Sequence, residues 1–239
     1  MPLAIPDTWL WFCIAFGVTL FTTLIMSLQS RFFYTVDVVV RRFTIMDLEF
    51  AANEKELENI LVGINKLVAF KAGIVTVDKE KVSRALKGQI IVDFLLFMPA
   101  AYGGIFLLCM KVASQMGQFG QLTFSMLAWA QILAFLLDAV ENVYLLHAIG
   151  NAKKKEQQPG LQTSALFAYP TFRLIEALKW GIALTGAVSG LSVIFHSWVS
   201  GHYSSRTYPY IWIFAGEFLL FVGISWILSK RRKNARDDE

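Results

Sequence analysis

The chain has 239 residues, of which 56% are hydrophobic and 17% are charged, and its mean hydropathy is +0.52. This composition is typical of a polytopic membrane protein and excludes an ordinary soluble domain. The formal net charge is +4, but the basic residues lie beside apolar runs, where the positive-inside rule accounts for them. We therefore predict the lipid bilayer as a partner and no nucleic-acid partner.

Five apolar runs are long enough to cross a bilayer as helices. They cover about residues 8–28, 89–113, 122–146, 170–198 and 208–228. The predicted fold class is therefore all-α, a polytopic transmembrane helix bundle with about five spans and a small helical cytoplasmic segment between the first two. We expect a first transmembrane helix over 1–28, an amphipathic cytoplasmic segment over 29–89, a four-helix transmembrane bundle over 90–229 and a charged C-terminal tail over 230–239.

The segment 29–89 is the longest polar stretch of the chain. Asn53 and Glu56 have the spacing of a capping box and predict that a helix begins there. Its apolar positions repeat with helical spacing, so one face must dock on the bundle, the bilayer surface or a partner. Asp78 is the predicted cap of a further helix that continues into the second span. The run 43–50 fits either a strand or a helix.

The distribution of Lys and Arg predicts the orientation of the chain. Residues 29–89, 151–155 and 230–236 contain ten, three and five of these residues, whereas only Lys111 and Arg206 lie close to the alternate side. The positive-inside rule then places the amino terminus outside and the carboxyl terminus in the cytoplasm.

Ionisable and amide side chains inside the apolar runs are the strongest functional signal, because such groups are costly at membrane depth unless they face protein or water. Asp138, Glu141 and Asn142 share one helix face. At 1.5 Å per residue, Asp138 and Lys179 lie at about 12–14 Å from the cytoplasmic ends of their helices and can therefore meet. The predicted polar cluster consists of Asp93, Asp138, Glu141, Asn142, Arg173, Glu176 and Lys179.

Two interpretations of this cluster remain open. The favoured one is a buried charge network that holds helices in register, and the other is a proton or ion pathway. Glu217 is isolated in the fifth span. It is interpreted either as a neutral or singly hydrogen-bonded carboxyl or as a transport residue.

Catalytic and cofactor motifs are absent from the sequence: there is no Walker loop, GxGxxG, HExxH, nucleophile elbow or paired CxxC. His147 and His196 are predicted at opposite ends of adjacent spans, too far apart for a haem pair. Cys13 and Cys109 have no metal-binding spacing and are expected to be free packing thiols, with a disulfide as the less favoured alternative. We predict no cofactor and no metal.

Pro99 and three glycines predict local helix geometry. Pro99 should kink the second span, because proline removes an intrahelical hydrogen bond. Gly181, Gly186 and Gly190 should let a neighbouring helix approach the fourth span closely.

Three short segments carry a resemblance to other proteins. DLEFA at 47–51 precedes the second span, VDFLLFMPAAYG at 92–103 lies on the second span, and LLDAVEN at 136–142 lies on the third. The last two resemble the paired signatures of a loose group of uncharacterised bacterial multi-pass inner-membrane proteins, and the first resembles the stretch that precedes them there. The similarity covers about residues 44–147. That group has about four spans, so the fifth span and the charged tail depart from it. The resemblance implies the bacterial inner membrane and supplies no activity.

The sequence therefore predicts an integral membrane protein of unassigned activity. A structural or accessory protein, or a subunit of a larger complex, is favoured over an enzyme. The first alternative is a small proton- or ion-coupled transporter that uses the intramembrane acids, and the second is a lipid-modifying or redox membrane enzyme. Other membrane subunits or a second copy of the chain are the protein partners considered.

Overall fold

The computed structural model describes residues 8–73, 75–158, 166–202 and 208–237, and the chain is 81% helical. The helices are α1 (Thr8–Gln29), α2 (Ile45–Glu49), α3 (Glu54–Asn65), α4 (Lys79–Val92), α5 (Met98–Ala113), α6 (Gln118–Gln157), α7 (Tyr169–Val199) and α8 (Tyr208–Asp237). The strands are β1 (Tyr34–Val36), β2 (Val40–Arg42), β3 (Phe70–Ala72) and β4 (Val75–Val77). A short 3-10 helix, Ser30–Phe32, follows α1, and a π-helical turn, Asp93–Phe97, joins α4 to α5.

Within these described residues, five helical stretches are long and apolar enough to cross a membrane. They are Trp9–Phe32, Lys79–Ala113, Gln118–Lys155, Tyr169–Val199 and Pro209–Leu228. Each corresponds to one of the predicted runs, so the predicted class, an all-α multi-pass membrane protein, is confirmed. A helix is suited to this environment because it satisfies its backbone hydrogen bonds internally.

The chain forms two compact units. The first unit comprises the described residues of Met1–Thr23, Leu95–Asp138 and Ala177–Gly223. The second unit comprises those of Leu24–Phe94, Ala139–Glu176 and Ile224–Glu239.

The second unit is built around an apolar core, against which the side chains of two small antiparallel hairpins pack. In the β1–β2 hairpin Thr35 lies opposite Arg41, and in the β3–β4 hairpin Lys71 lies opposite Thr76. Buried side chains of α3 and α4 join residues of α6 and α7 in this core, among them Ile60, Leu86, Leu145 and Phe172. The hairpins leave no clear signal in the sequence, because strands of three residues are too short to show the alternation of a half-buried strand.

The predicted helix caps in the second unit are confirmed. The Asn53 side chain accepts a hydrogen bond from the Glu56 N–H (3.0 Å), and the Glu56 carboxylate accepts one from the Ala52 N–H (2.7 Å), one residue before the expected partner. The Asp78 side chain accepts from the Lys81 N–H (2.8 Å) and so caps α4. Each cap satisfies a backbone donor at the first turn of its helix.

The ambiguous run 43–50 contains a helix, α2. Thr44 and Asp47 form a reciprocal capping box, in which the Asp47 N–H donates to the Thr44 hydroxyl (3.3 Å) and the Thr44 N–H donates to the Asp47 carboxylate (2.5 Å). This cap and the buried Leu48 explain why the run forms a helix and not a strand.

The sequence predicts a kink at Pro99, and the structure has a π-helical turn, Asp93–Phe97, that ends two residues before the proline. The Pro99 nitrogen has no hydrogen to donate, and its ring would collide with the carbonyl four residues earlier in a regular α-helix. Widening the helix just before Pro99 relieves both problems, and single π-turns of this kind occur inside longer helices.

The first unit is held by aromatic and small side chains. The Phe214 ring of α8 lies with its centroid 5.8 Å from that of Phe12 and 4.4 Å from that of Phe16, both on α1. Cys13 and Cys109 are buried free thiols, as predicted, and they pack in two separate apolar clusters of this unit.

Candidate functional site

A buried ion pair joins α6 to α7 in the first unit. Lys179 Nζ lies 2.9 Å from Asp138 Oδ1, and the two residues are only 3% and 7% exposed. The Tyr102 hydroxyl of α5 donates to the other carboxylate oxygen, Oδ2, at 2.9 Å. Both oxygens of Asp138 therefore have a partner, and the group links three helices. We call Tyr102, Asp138 and Lys179 the Asp138 triad.

Two further contacts support this arrangement. The Lys179 ammonium lies 5.7 Å from the centroid of the Trp180 ring, a favourable position for a cation over an aromatic face. Gln131, two turns before Asp138 on α6, donates through Nε2 to the Ile182 carbonyl of α7 (3.2 Å). Polar contacts therefore join α6 and α7 at two levels.

The second unit contains its own polar pairs. Asn142 Nδ2 of α6 donates to Asp93 Oδ2 at 2.6 Å. Arg173 Nη1 of α7 donates to Glu176 Oε2 (2.9 Å) and to the Glu49 carbonyl (3.3 Å), so the guanidinium connects α7 to the end of α2. Glu176 is 1% exposed, and the Arg173 guanidinium provides a charged partner for this buried carboxylate.

The seven residues of the predicted cluster are divided between the two units. Asp138 and Lys179 lie in the first unit, where they form an ion pair. The other five lie in the second unit, where Asn142 contacts Asp93 and Arg173 contacts Glu176. Glu141 is also in the second unit and is 1% exposed.

Tyr102 is the participant that sequence reasoning missed. It lies in an apolar run, but the hydroxyl of a buried tyrosine usually has a hydrogen-bond partner. That requirement is the signal that could have directed attention to it. Its partner, Asp138, is 36 residues away along the chain and became evident only from the packing of α5 against α6.

Glu217 of α8 lies against Gly17 of α1 in the first unit. A Cβ atom added at Gly17 would stand 2.8 Å from Glu217 Oε1, so the glycine leaves the space that the carboxyl occupies. Glu217 Oε2 is buried, and none of the described residues hydrogen-bonds to it.

A small groove of about 90 Å³ in the second unit lies between α3 and the end of α6. Lys155 Nζ and Glu58 Oε1 form an ion pair at its edge (2.5 Å). His147 lines the groove, with Nδ1 3.2 Å from the Asn151 amide nitrogen.

In the part of the chain that the structure describes, no three His, Cys, Asp or Glu side chains are grouped so that they could hold a metal ion. The carboxylate and the ammonium group of the Asp138 triad are suited to structural pairing or to proton movement, the two chemistries that the sequence left open. Comparison with known proteins adds no family, since no protein-family model, no curated protein and no solved structure matches the chain.

Proposed function

We propose that the protein is a structural or accessory membrane protein, acting alone or as a subunit of a larger complex, in the inner membrane of a bacterium. The observation that carries the proposal is the complete pairing of Asp138. One carboxylate oxygen accepts from Lys179 and the other from Tyr102. The resemblance of the segments 92–103 and 136–142 to inner-membrane proteins supports the location.

A fully paired carboxylate is suited to a fixed role. Removing one member of a buried ion pair leaves the other uncompensated and costs about 3–5 kcal/mol, so the intact pair helps to hold α6 and α7 together. A carrier residue, by contrast, has to exchange its partner during each cycle. The Asp138 triad therefore favours a structural function over transport.

The bilayer is the proposed partner of α8. The span of α8 is Pro209–Leu228. In its most apolar stretch of 18 residues, no residue is buried inside the protein. Trp212, Leu219 and Trp226 are all more than half exposed. Lipid tails suit this surface because they are as apolar as the side chains themselves. The charge bias supports an amino terminus outside and a carboxyl terminus in the cytoplasm.

The test is a double-mutant cycle on the ion pair. We would measure membrane abundance, thermal unfolding in detergent and complementation of a deletion strain for Asp138→Asn, Lys179→Met and the double variant. A structural pair predicts that each single change costs about 3–5 kcal/mol and that the double variant recovers stability together with complementation. A double variant that is stable and abundant but does not complement would overturn the structural assignment.

The alternative function, proton-coupled transport, is favoured by one observation: Glu217 Oε2 is buried and accepts no hydrogen bond from the residues that the structure describes. Acids inside membrane spans can serve as proton carriers. In proteoliposomes that contain a pH-sensitive dye, this alternative predicts a proton flux that Glu217→Gln abolishes. A wild-type flux equal to that of empty liposomes would eliminate it.

A further inference from the structure

A basic groove of about 590 Å³ lies in the second unit, apart from the Asp138 triad and from Glu217. Cationic residues of α4 and of the last turns of α6 line it. The charged and hydroxyl-bearing residues of this basic groove are Lys79, Glu80, Ser83, Arg84, Lys87 and Lys153. Four cations and one carboxylate give the lining a formal charge of +3.

Three of these cations have no carboxylate partner among the side chains that the structure describes, which do not include that of Glu156. No described carboxylate lies within 4.0 Å of Arg84, Lys87 or Lys153. Lys155, two residues beyond Lys153, is by contrast paired with Glu58 at 2.5 Å. Within the described side chains, Arg84, Lys87 and Lys153 are therefore available for an external anion.

The lining residues of the basic groove come from two helices, α4 and α6. Lys79, Ser83 and Lys87 are spaced four residues apart, and this row extends over about 12 Å. Arg84 follows Ser83 directly, and Lys153 brings a further cation from α6. A phosphate group fits this set of side chains. The Arg84 guanidinium can bind it through paired hydrogen bonds, and the lysine ammonium groups add point charges.

The sequence places the groove where its helices leave the apolar zone. Lys87 precedes Ile90, the start of an apolar run, by three residues, which is about 4–5 Å along the helix. Lys153 follows Leu146, the end of another apolar run, by about 10 Å. The polar layer on each side of the hydrocarbon core is about 5–7 Å thick, so Lys87 lies at the depth of lipid phosphates.

We propose that the basic groove binds the phosphate of an anionic phospholipid headgroup, with Arg84, Lys87 and Lys153 as the cationic ligands and the Ser83 hydroxyl as an additional donor. A lipid is favoured over a soluble phosphate because its acyl chains hold the headgroup at the level of Lys87. Basic pockets beside membrane helices on the cytoplasmic side suit anionic headgroups for this reason. The proposal goes beyond a structural role, since it gives the protein lipid selectivity.

Native mass spectrometry of the full chain in detergent tests the proposal with phosphatidylglycerol and phosphatidylcholine as the probe lipids. We expect the wild type to retain phosphatidylglycerol preferentially. The variant Arg84→Gln/Lys87→Gln/Lys153→Gln should bind it on the order of 10- to 100-fold more weakly, with phosphatidylcholine binding unchanged. The single variant Lys153→Gln should also bind phosphatidylglycerol more weakly than the wild type, with a smaller loss. It provides the test if the triple variant is poorly folded.

The matched control is Arg41→Gln/Lys55→Gln/Lys71→Gln, which removes the same charge from exposed positions of the second unit outside the groove. It should bind phosphatidylglycerol like the wild type. Equal losses in both triple variants would show a general attraction of anions and would overturn the site. A second arm adds inorganic phosphate to the protein in nanodiscs that contain both phosphatidylcholine and phosphatidylglycerol. Displacement of phosphatidylglycerol by inorganic phosphate at equal concentration would overturn the lipid assignment.

Discussion

The side-chain amide of Gln131 lies directly against Gly186 in the first unit. A Cβ atom added at Gly186 would stand 2.5 Å from Gln131 Nε2 and 3.0 Å from the Cγ2 atom of Ile105. One turn later, a Cβ at Gly190 would stand 2.9 Å from the Cδ2 atom of Leu108. Gly186 and Gly190 therefore bring α7 close to α5 and α6, as small residues do at helix interfaces in membranes.

Replacing Gly186 with Leu should lower stability by about 1–3 kcal/mol, because the new side chain overlaps Gln131 and Ile105. Gly181→Leu is the matched control on the same helix, since no described atom beyond the adjoining backbone of α7 lies within 4 Å of a Cβ at that position. Thermal unfolding of both variants in detergent measures the difference. Equal melting temperatures for the two variants would mean that Gly186 does not face a packed neighbour.

Tyr102→Phe should destabilise the protein by about 1–3 kcal/mol, because Asp138 Oδ2 loses its hydrogen bond in a buried site. The control is Tyr34→Phe in the second unit. The Tyr34 hydroxyl accepts from Arg42 Nε at 2.8 Å in an exposed position, where water replaces the lost partner. Unfolding in detergent should therefore change little for Tyr34→Phe. A Tyr102→Phe variant that melts like the wild type would contradict the triad.

Gly63→Ala should destabilise the second unit by about 1–3 kcal/mol. A Cβ at Gly63 would stand 2.5 Å from the Val36 carbonyl oxygen, and β1 is held in its hairpin and cannot easily withdraw. Gly88→Ala is the control within α4, because its nearest neighbour, Gln29 Nε2, would be 3.5 Å away.

Alanine raises helix propensity at both positions, so the difference between the two variants isolates the steric term. Thermal unfolding should give a lower melting temperature for Gly63→Ala and an equal or higher one for Gly88→Ala, relative to the wild type. The reverse order would show that α3 does not pack closely on β1.

The orientation predicts that Lys71→Cys and Lys154→Cys are protected from a membrane-impermeant maleimide in intact cells, whereas Ser200→Cys is labelled. The charge bias places the first two positions in the cytoplasm and the third outside. Permeabilised cells provide the control, since all three should react there. Labelling of Lys71→Cys and Lys154→Cys from outside, with Ser200→Cys protected, would show the inverted orientation with the same helices.

The sequence by itself determined the helical spans and the caps. Apolar runs of this length have to be helical in a bilayer, because no water is present there to satisfy the backbone. Asn53 and Asp78 cap α3 and α4 through donors three residues ahead, and such local contacts can be seen from spacing alone. The regular rise of a helix also placed Asp138 and Lys179 at one depth.

Only the tertiary structure decided which side chains complete these local patterns. Tyr102 meets Asp138, Gln131 lies against Gly186 and Gly17 makes room for Glu217, and each contact joins different helices. The rotation of one helix against another is set by the packing of many side chains, which periodicity does not encode. The same reason applies to the basic groove, which forms because the end of α6 lies beside one face of α4.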